Sequence, residues 1–351
     1  MQEKKYFTRM GDGSIVHMTE AEIREDMKAG MEDAVLRGKV EPLTDEEFEH
    51  LYNIITMPGT IVGVEPGMQI VTTSDSGSDK INTKCGIPVD RAVNAMIHER
   101  ILGCDSVDIG YSDYNYKTVK GVAKREATIL KHALNRTTMP LFYGAMPNLG
   151  FYTKPDGPVD NWAVLLPEGK IKESLAAQEE AVEHAVRDIV YVAEQMYDVG
   201  ADGINLDTSG AAGDADFLVS LKATEAIKER FPDLNVEIGM AGEFVLGMHG
   251  KLKYDDVRLA GLYPHKQVKL AEKAGASIFG PVVNTNCNMT FPWNIARVCT
   301  FIKACTAVAE IPVHANTGMG VCGVPMCENL PADIVSRVDK ALVEICKIDG
   351  L

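Results

Sequence analysis

Residues 196–207 read "MYDVGADGINLD", and this stretch closes one kind of structure and opens another. Its first half ends a helical pattern. Leu175, Val182, Ala185, Val186, Ile189, Val192 and Met196 fall on one apolar face of a helix expected from about Ile171 to Val199. Gly200 punctuates it, and "GINLD" (203–207) has the short apolar run of a buried strand. The same helix-to-strand junction returns in "LAEKAGASIFG" (270–280), and its first half returns in "EICKIDGL" (344–351). Repeated junctions of this kind predict a parallel sheet with helices between its strands.

Working outward, candidate strands are "SVDIG" (106–110), "MPLFYGA" (139–145), 203–207, "VEIGMA" (236–241), "SIFGPVV" (277–283) and "IPVHAN" (311–316). A helix after Asp214 presents Phe217, Leu218, Leu221, Thr224 and Ile227, and another runs from Pro331. Strand–helix units of about 30 to 45 residues fit a (β/α)8 TIM-type barrel better than an open doubly wound sheet. About six such units are present where a closed barrel needs eight. Leu351 stands where Ile204 and Ile278 begin their strands, so the barrel is expected to be incomplete in this chain. Residues 105–351 are assigned to it. Residues 1–104 form a cap region, with a hairpin around "YFTRMGDGSIVHM" and capping boxes at Thr19…Glu22 and Thr44…Glu47. Within the cap, the Gly-, Ser- and Thr-rich stretch 58–88 reads as a loop or a pair of short strands.

Composition excludes several classes of function. Fifty acidic against thirty-five basic residues give a formal charge of -15, which repels nucleic-acid backbones and anionic lipid. With no signal-like N-terminus and no membrane-length apolar run, a cytoplasmic protein is expected. Eight irregularly spaced cysteines read as free thiols in a reducing compartment.

In a barrel, chemistry gathers where strands end and loops begin. Alternation along "INLD" places Asn205 and Asp207 on one face and Leu206 on the other. With Leu206 packed under the helices, Asn205 and Asp207 look inward; the same argument turns Glu237 inward and leaves Glu243 above it. A single inward polar residue is commonly a satisfied layer residue, but several carboxylates at one rim point to chemistry. "GMGVCG" (318–323) matches the dinucleotide fingerprint, yet Pro325 and "CENLPAD" delay the helix that must follow its third glycine. His314, Cys322 and Cys327 are donors that suit zinc but lack a paired short spacing, so no metal site is assigned. His249 and His265 sit in punctuated loops, equally readable as hydrogen-bonding residues or as rim ligands.

"FYGAMPNLG", "GADGINLDTSGAAGDADF", "GMAGEFVLGMHG", "PWNIARV" and "GMGVCGVPM" resemble the dimethylamine:corrinoid methyltransferases, from "RMGDGS" near the start to the last residue. The resemblance implies a (β/α)8 barrel, transfer of a methyl group from dimethylamine to the Co(I) corrinoid of a partner protein, and methylamine metabolism of the methanogenic kind. It also implies pyrrolysine directly after "KIDGL", encoded by an amber codon, so that this chain is an N-terminal part lacking the catalytic electrophile. A dimethylammonium ion is no nucleophile until a carboxylate takes its proton. On that footing Asp207 and Glu243 are the candidate catalytic carboxylates, with Glu237 behind them. Tyr143 is a candidate to face the methylated nitrogen with its ring, and Asn205, Asn284 and His314 to position it. No cofactor is expected on the chain itself, and oligomeric state is left open. Two rival expectations are a zinc-dependent corrinoid methyltransferase like uroporphyrinogen decarboxylase, and a non-catalytic fragment that binds a corrinoid protein.

Overall fold

A computed structural model describes residues 4–75, 91–102, 106–112, 119–145, 148–247 and 250–351. In chain order its first elements are β1 (Lys5–Arg9), β2 (Ile15–Thr19), α1 (Glu20–Gly38), α2 (Asp45–Thr56), β3 (Thr72–Asp75), α3 (Arg91–Leu102) and β4 (Ser106–Ser112). Next come α4 (Val119–Leu134), β5 (Leu141–Ala145), α5 (Trp162–Leu165), α6 (Ile171–Tyr197), β6 (Gly203–Ser209), α7 (Asp214–Arg230) and β7 (Asn235–Met240). The last are β8 (Lys253–Tyr254), β9 (Val257–Arg258), α8 (Pro264–Ala274), β10 (Ile278–Gly280), α9 (Phe291–Thr306) and α10 (Ala332–Glu344).

Two compact units share these elements. One comprises Val71–Leu262 and Leu270–Phe279, the other Met1–Ile70, Tyr263–Lys269 and Gly280–Leu351. The expected boundary between residues 104 and 105 is therefore not where the chain divides. The reason is β3, which pairs in parallel with β4 (Thr72 opposite Ser106) and carries the chain from Val71 into the sheet. Residues 76–88 of the stretch left open as loop or strands lie outside the described residues.

The first unit is built on a sheet of order β10-β7-β6-β5-β4-β3. From β3 to β7 every neighbouring pair is parallel and strand order follows chain order without a reversal. β5 is buried throughout, which is why "LFYGA" shows no polar alternation. Ile204, Leu206, Val236 and Ile238 are buried along one face of β6 and β7. The long helix α6 buries Val182, Ala185, Ile189, Val192 and Met196, as the spacing predicts. Glu183 does not pair with Arg187 one turn on; α7 packs alongside, and Glu183 reaches Lys222 across it at 2.6 Å. The strand expected over 277–283 is confined to β10.

In the second unit the hairpin β1–β2 pairs Lys5 with Thr19 through Arg9 with Ile15, around Gly13 at φ +91°. Both capping boxes form, with Glu22 and Glu47 returning to the backbone N–H of Thr19 and Thr44. α1 lies against α9 at closest approach where Gly30 faces the Trp293 carbonyl and Gly38 faces the Phe301 ring. The contact is pinned by Arg297 donating to Asp33 (2.7 Å) and by the Thr290 hydroxyl donating to Asp26 (2.6 Å). On α10, buried Arg337 donates to the carbonyls of Met57, Gly59 and Thr60, and buried Lys340 to that of Gly63. Lys340 also pairs with Glu344 at 2.6 Å, so neither cation is buried uncompensated. The strand expected over 311–316 is reduced to a parallel bridge between His314 and Gly350, with Ala315 N–H donating to Gly350 O at 3.0 Å.

Candidate active site

The site grows from register. Asn205 on β6 lies opposite Glu237 on β7, and Gly144 on β5 lies opposite Asn205, so these three positions share one face of the sheet. Phe142 and Gly203 are partners below them, and a β-carbon at Gly203 would sit 2.6 Å from the Phe142 ring. Phe142 thus floors the row. Above it, Gly239 has no side chain and the Asp207 carboxylate lies over it, 2.9 Å from where a β-carbon would stand. The expectation that Asn205, Asp207 and Glu237 share a face against Leu206 agrees with this register.

A local distortion ends the row. The β6–β7 register shifts between Leu206 and Ser209, and Thr208 takes φ +51°, a left-handed conformation that costs a β-branched residue energy. Two bonds hold the turn: Thr208 N–H donates to Asp207 Oδ1 at 2.7 Å, and Thr208 Oγ1 donates to the Asp207 carbonyl at 2.8 Å. Beyond it, Ser209 meets Ser220 of α7 at 2.6 Å, on the helix side of the sheet.

Asn205 and Glu237 are buried, with 4% and 5% of their surface exposed, whereas Asp207 is half-buried. Burial first, and the charge of Asp207 second, push the Glu237 carboxyl up to about 8. A carboxyl with a raised folded pKa stabilises the fold fully below its unfolded pKa, and that contribution is lost as pH rises through the folded value. For Glu237 the window runs from the ordinary 4.5 to about 8. Thermal melts across it are expected to show the unsubstituted protein losing stability relative to Glu237→Gln, whose amide has no proton to lose. A gap between the two that stays constant with pH would contradict the assignment.

The remaining sequence-derived candidates disperse. Glu243 is buried three residues beyond the end of β7, in the turn leading to Val245. Tyr143 pairs in register with Ile204, placing it on the opposite face from Asn205; its hydroxyl donates to Glu126 of α4 at 3.4 Å. It therefore packs under a helix rather than beside the carboxylates, which corrects the expectation that its ring faces the substrate. Asn284 and His314 belong to the other compact unit, where Asn284 bridges Val321 and burial pushes the His314 imidazole pKa down. His249 lies outside the described residues, and burial likewise lowers His265. The Cys322 thiol is pushed up to about 12 by burial, which makes it a poor nucleophile or ligand. Helix α10 begins only at Ala332, so no helix opens at the third glycine of 318–323. Among the described residues, no group of three or more His, Cys, Asp or Glu is arranged to hold a metal ion, and no helix is long and apolar enough to cross a membrane. Sequence reasoning missed Phe142, Gly144 and Gly239, although a glycine inside a strand marks a place where something can approach the sheet closely.

A parallel sheet bearing Asn205, Asp207 and Glu237 on one face, with helices covering the other, defines an α/β protein. The sequence model of the family described as Dimethylamine methyltransferase (Dimeth_PyL) matches residues 4–351, and the chain belongs to that family. It is thus a methyltransferase. Among solved structures, the chain is similar to one described as "The crystal structure of Mandelate oxidase with 3,3-difluoro-2-hydroxy-3-phenylpropionic acid". That likeness has 9% identity over 94% of this chain and 95% of the other, at a TM-score of 0.28, which is too loose to carry an argument.

Proposed function

We propose that this methyltransferase moves a methyl group from dimethylamine to the Co(I) corrinoid of a partner corrinoid protein. The observation that carries the reading is the acidic row on β6 and β7, in a chain of the dimethylamine methyltransferase family. The proposal includes a (β/α)8 barrel, supported by strands that follow chain order without the reversal of a doubly wound sheet. In that frame the row lies toward the strands' C-terminal ends.

Each residue then has a task. Asp207, half-buried at the rim, draws the dimethylammonium ion and takes its proton, because only the free amine has a lone pair. Glu243, in the turn after β7, is the second carboxylate. Glu237 and Asn205 sit deeper and orient the nitrogen, which is the proximity contribution to rate. A corrinoid on the partner would supply the Co(I) nucleophile, and pyrrolysine, which the resemblance implies and which is not among these 351 residues, would supply an electrophile for the amine.

The test is dimethylamine-dependent methylation of a reduced corrinoid protein by a pyrrolysine-containing form of the enzyme. Loss of the Co(I) absorbance is expected, with one monomethylamine formed per methyl transferred. A corrinoid protein that methyl iodide methylates, but that the enzyme with dimethylamine leaves as Co(I), would defeat the proposal.

A further inference from the structure

The acidic row holds two buried oxygens that meet no hydrogen-bond partner among the described residues. Asn205 and Glu237 are register partners on adjacent strands, both buried, and Asn205 Oδ1 and Glu237 Oε2 each have no hydrogen-bond partner among the described residues. Among the described residues no lysine or arginine pairs with Glu237. Buried polar oxygens left without partners are costly and are normally satisfied, so two side by side, the Asn205 amide oxygen and the Glu237 carboxyl, call for a ligand that reaches both. The negative charge of Asp207 beside Glu237 makes a cationic donor the fitting one.

We infer that Asn205 and Glu237 discriminate among methylated ammonium ions by the number of N–H donors they carry, and that Glu237 releases a proton to solvent as the ion enters. The inference rests on the methyl-transfer reading above. Dimethylammonium has two N–H groups, one for each acceptor; trimethylammonium has one and tetramethylammonium none. In the empty protein Glu237 keeps a proton, since burial raises its pKa to about 8. Uptake breaks the Glu237 O–H bond, sends that proton to the buffer, and leaves a carboxylate that accepts an N–H from the ion. Dimethylammonium keeps both its protons in this step and yields one only later, at Asp207. Asn205 and Glu237 therefore act as specificity residues at the nitrogen, and no bond to carbon is made or broken there.

Calorimetric titration of the protein with di-, tri- and tetramethylammonium chloride, in two buffers of different protonation heat, tests this directly. Each charge-assisted hydrogen bond lost is expected to weaken binding about tenfold or more, giving the order di, tri, tetra. Near neutral pH about one proton should be released per dimethylammonium, fading once pH exceeds about 8. Glu237→Gln should abolish the release and bring dimethylammonium close to trimethylammonium in affinity. Asn205→Leu, verified as folded by circular dichroism, should narrow the di-to-tri ratio while keeping the proton release. Equal affinities for the three ions, or uptake without proton release, would overturn the inference and leave the methyl-transfer reading standing. If no ion binds but dimethylamine still methylates the corrinoid, the inference alone falls; if both fail, the function falls with it.

Discussion

Asp207→Asn is expected to lower methyl transfer to Co(I) by about 10²-fold or more while moving the melting temperature little. General-base catalysis contributes about 10²- to 10⁴-fold, and the amide can neither take the proton nor attract the cation. Stability should survive because the amide oxygen still accepts the Thr208 N–H that Asp207 Oδ1 now holds at 2.7 Å, and Thr208 Oγ1 still has the residue's carbonyl. The substitution also removes the charge that helps raise Glu237, so the pH window of the Glu237-linked stability should contract from its upper end. Rate and linkage should therefore change together. Glu243→Gln is the companion variant. Near-normal turnover in both would place the base elsewhere, and a large fall in melting temperature with little loss of rate would make both carboxylates structural.

The second large effect lies in the other unit. Gly30→Ala is expected to destabilise the protein by about 3 kcal/mol, the upper end for overpacking, because the new β-carbon would overlap the Trp293 carbonyl, and backbone cannot step aside as a side chain can. Helix propensity alone predicts the opposite sign, alanine exceeding glycine by about 1 kcal/mol in a helix interior. Gly121 on α4 supplies the control: nothing lies within 4 Å of a β-carbon there, so Gly121→Ala should be neutral or stabilising. Denaturant unfolding of the pair decides the matter, since equal shifts would show that α1 and α9 do not meet as closely as described.

How far the sequence could be read depended on whether a feature was local. Alternation within "INLD" needs only neighbouring residues, so the shared face of Asn205 and Asp207 was legible, as were the capping boxes at Thr19 and Thr44. Tyr143 was not. "LFYGA" is buried on both faces and carries no polar mark of inside and outside, so its direction is decided by pairing with Ile204 on a strand far along the chain. β3 hid for a related reason: "TTSD" is polar and sits in a Gly- and Ser-rich stretch, and what makes it a strand is the partner at Ser106. The orphaned oxygens of Asn205 and Glu237 are a property of what fails to surround them, which no residue string expresses. That Asn284 and His314 would belong with a different unit from β6 followed from chain crossings at 262–263, 269–270 and 279–280, none marked by a linker.

The left-handed turn at Thr208 makes β6 a strand with two reading frames. Up to Leu206 the frame is held by the ladder to β7, and a one-residue insertion there would put aliphatic neighbours where Asn205 and Asp207 now stand. After Thr208 the frame is set afresh, with Ser209 tied to Ser220 rather than to the strand's earlier phase. Length changes in the glycine-containing loop 210–213 are thereby insulated from the row, since any slip they cause is absorbed at the turn before it reaches Asp207. Lineages or designers wishing to admit a bulkier amine can vary that loop, provided Gly213 still clears the Leu246 carbonyl and Ala212 N–H still meets Asp216, and inherit the acidic row unchanged.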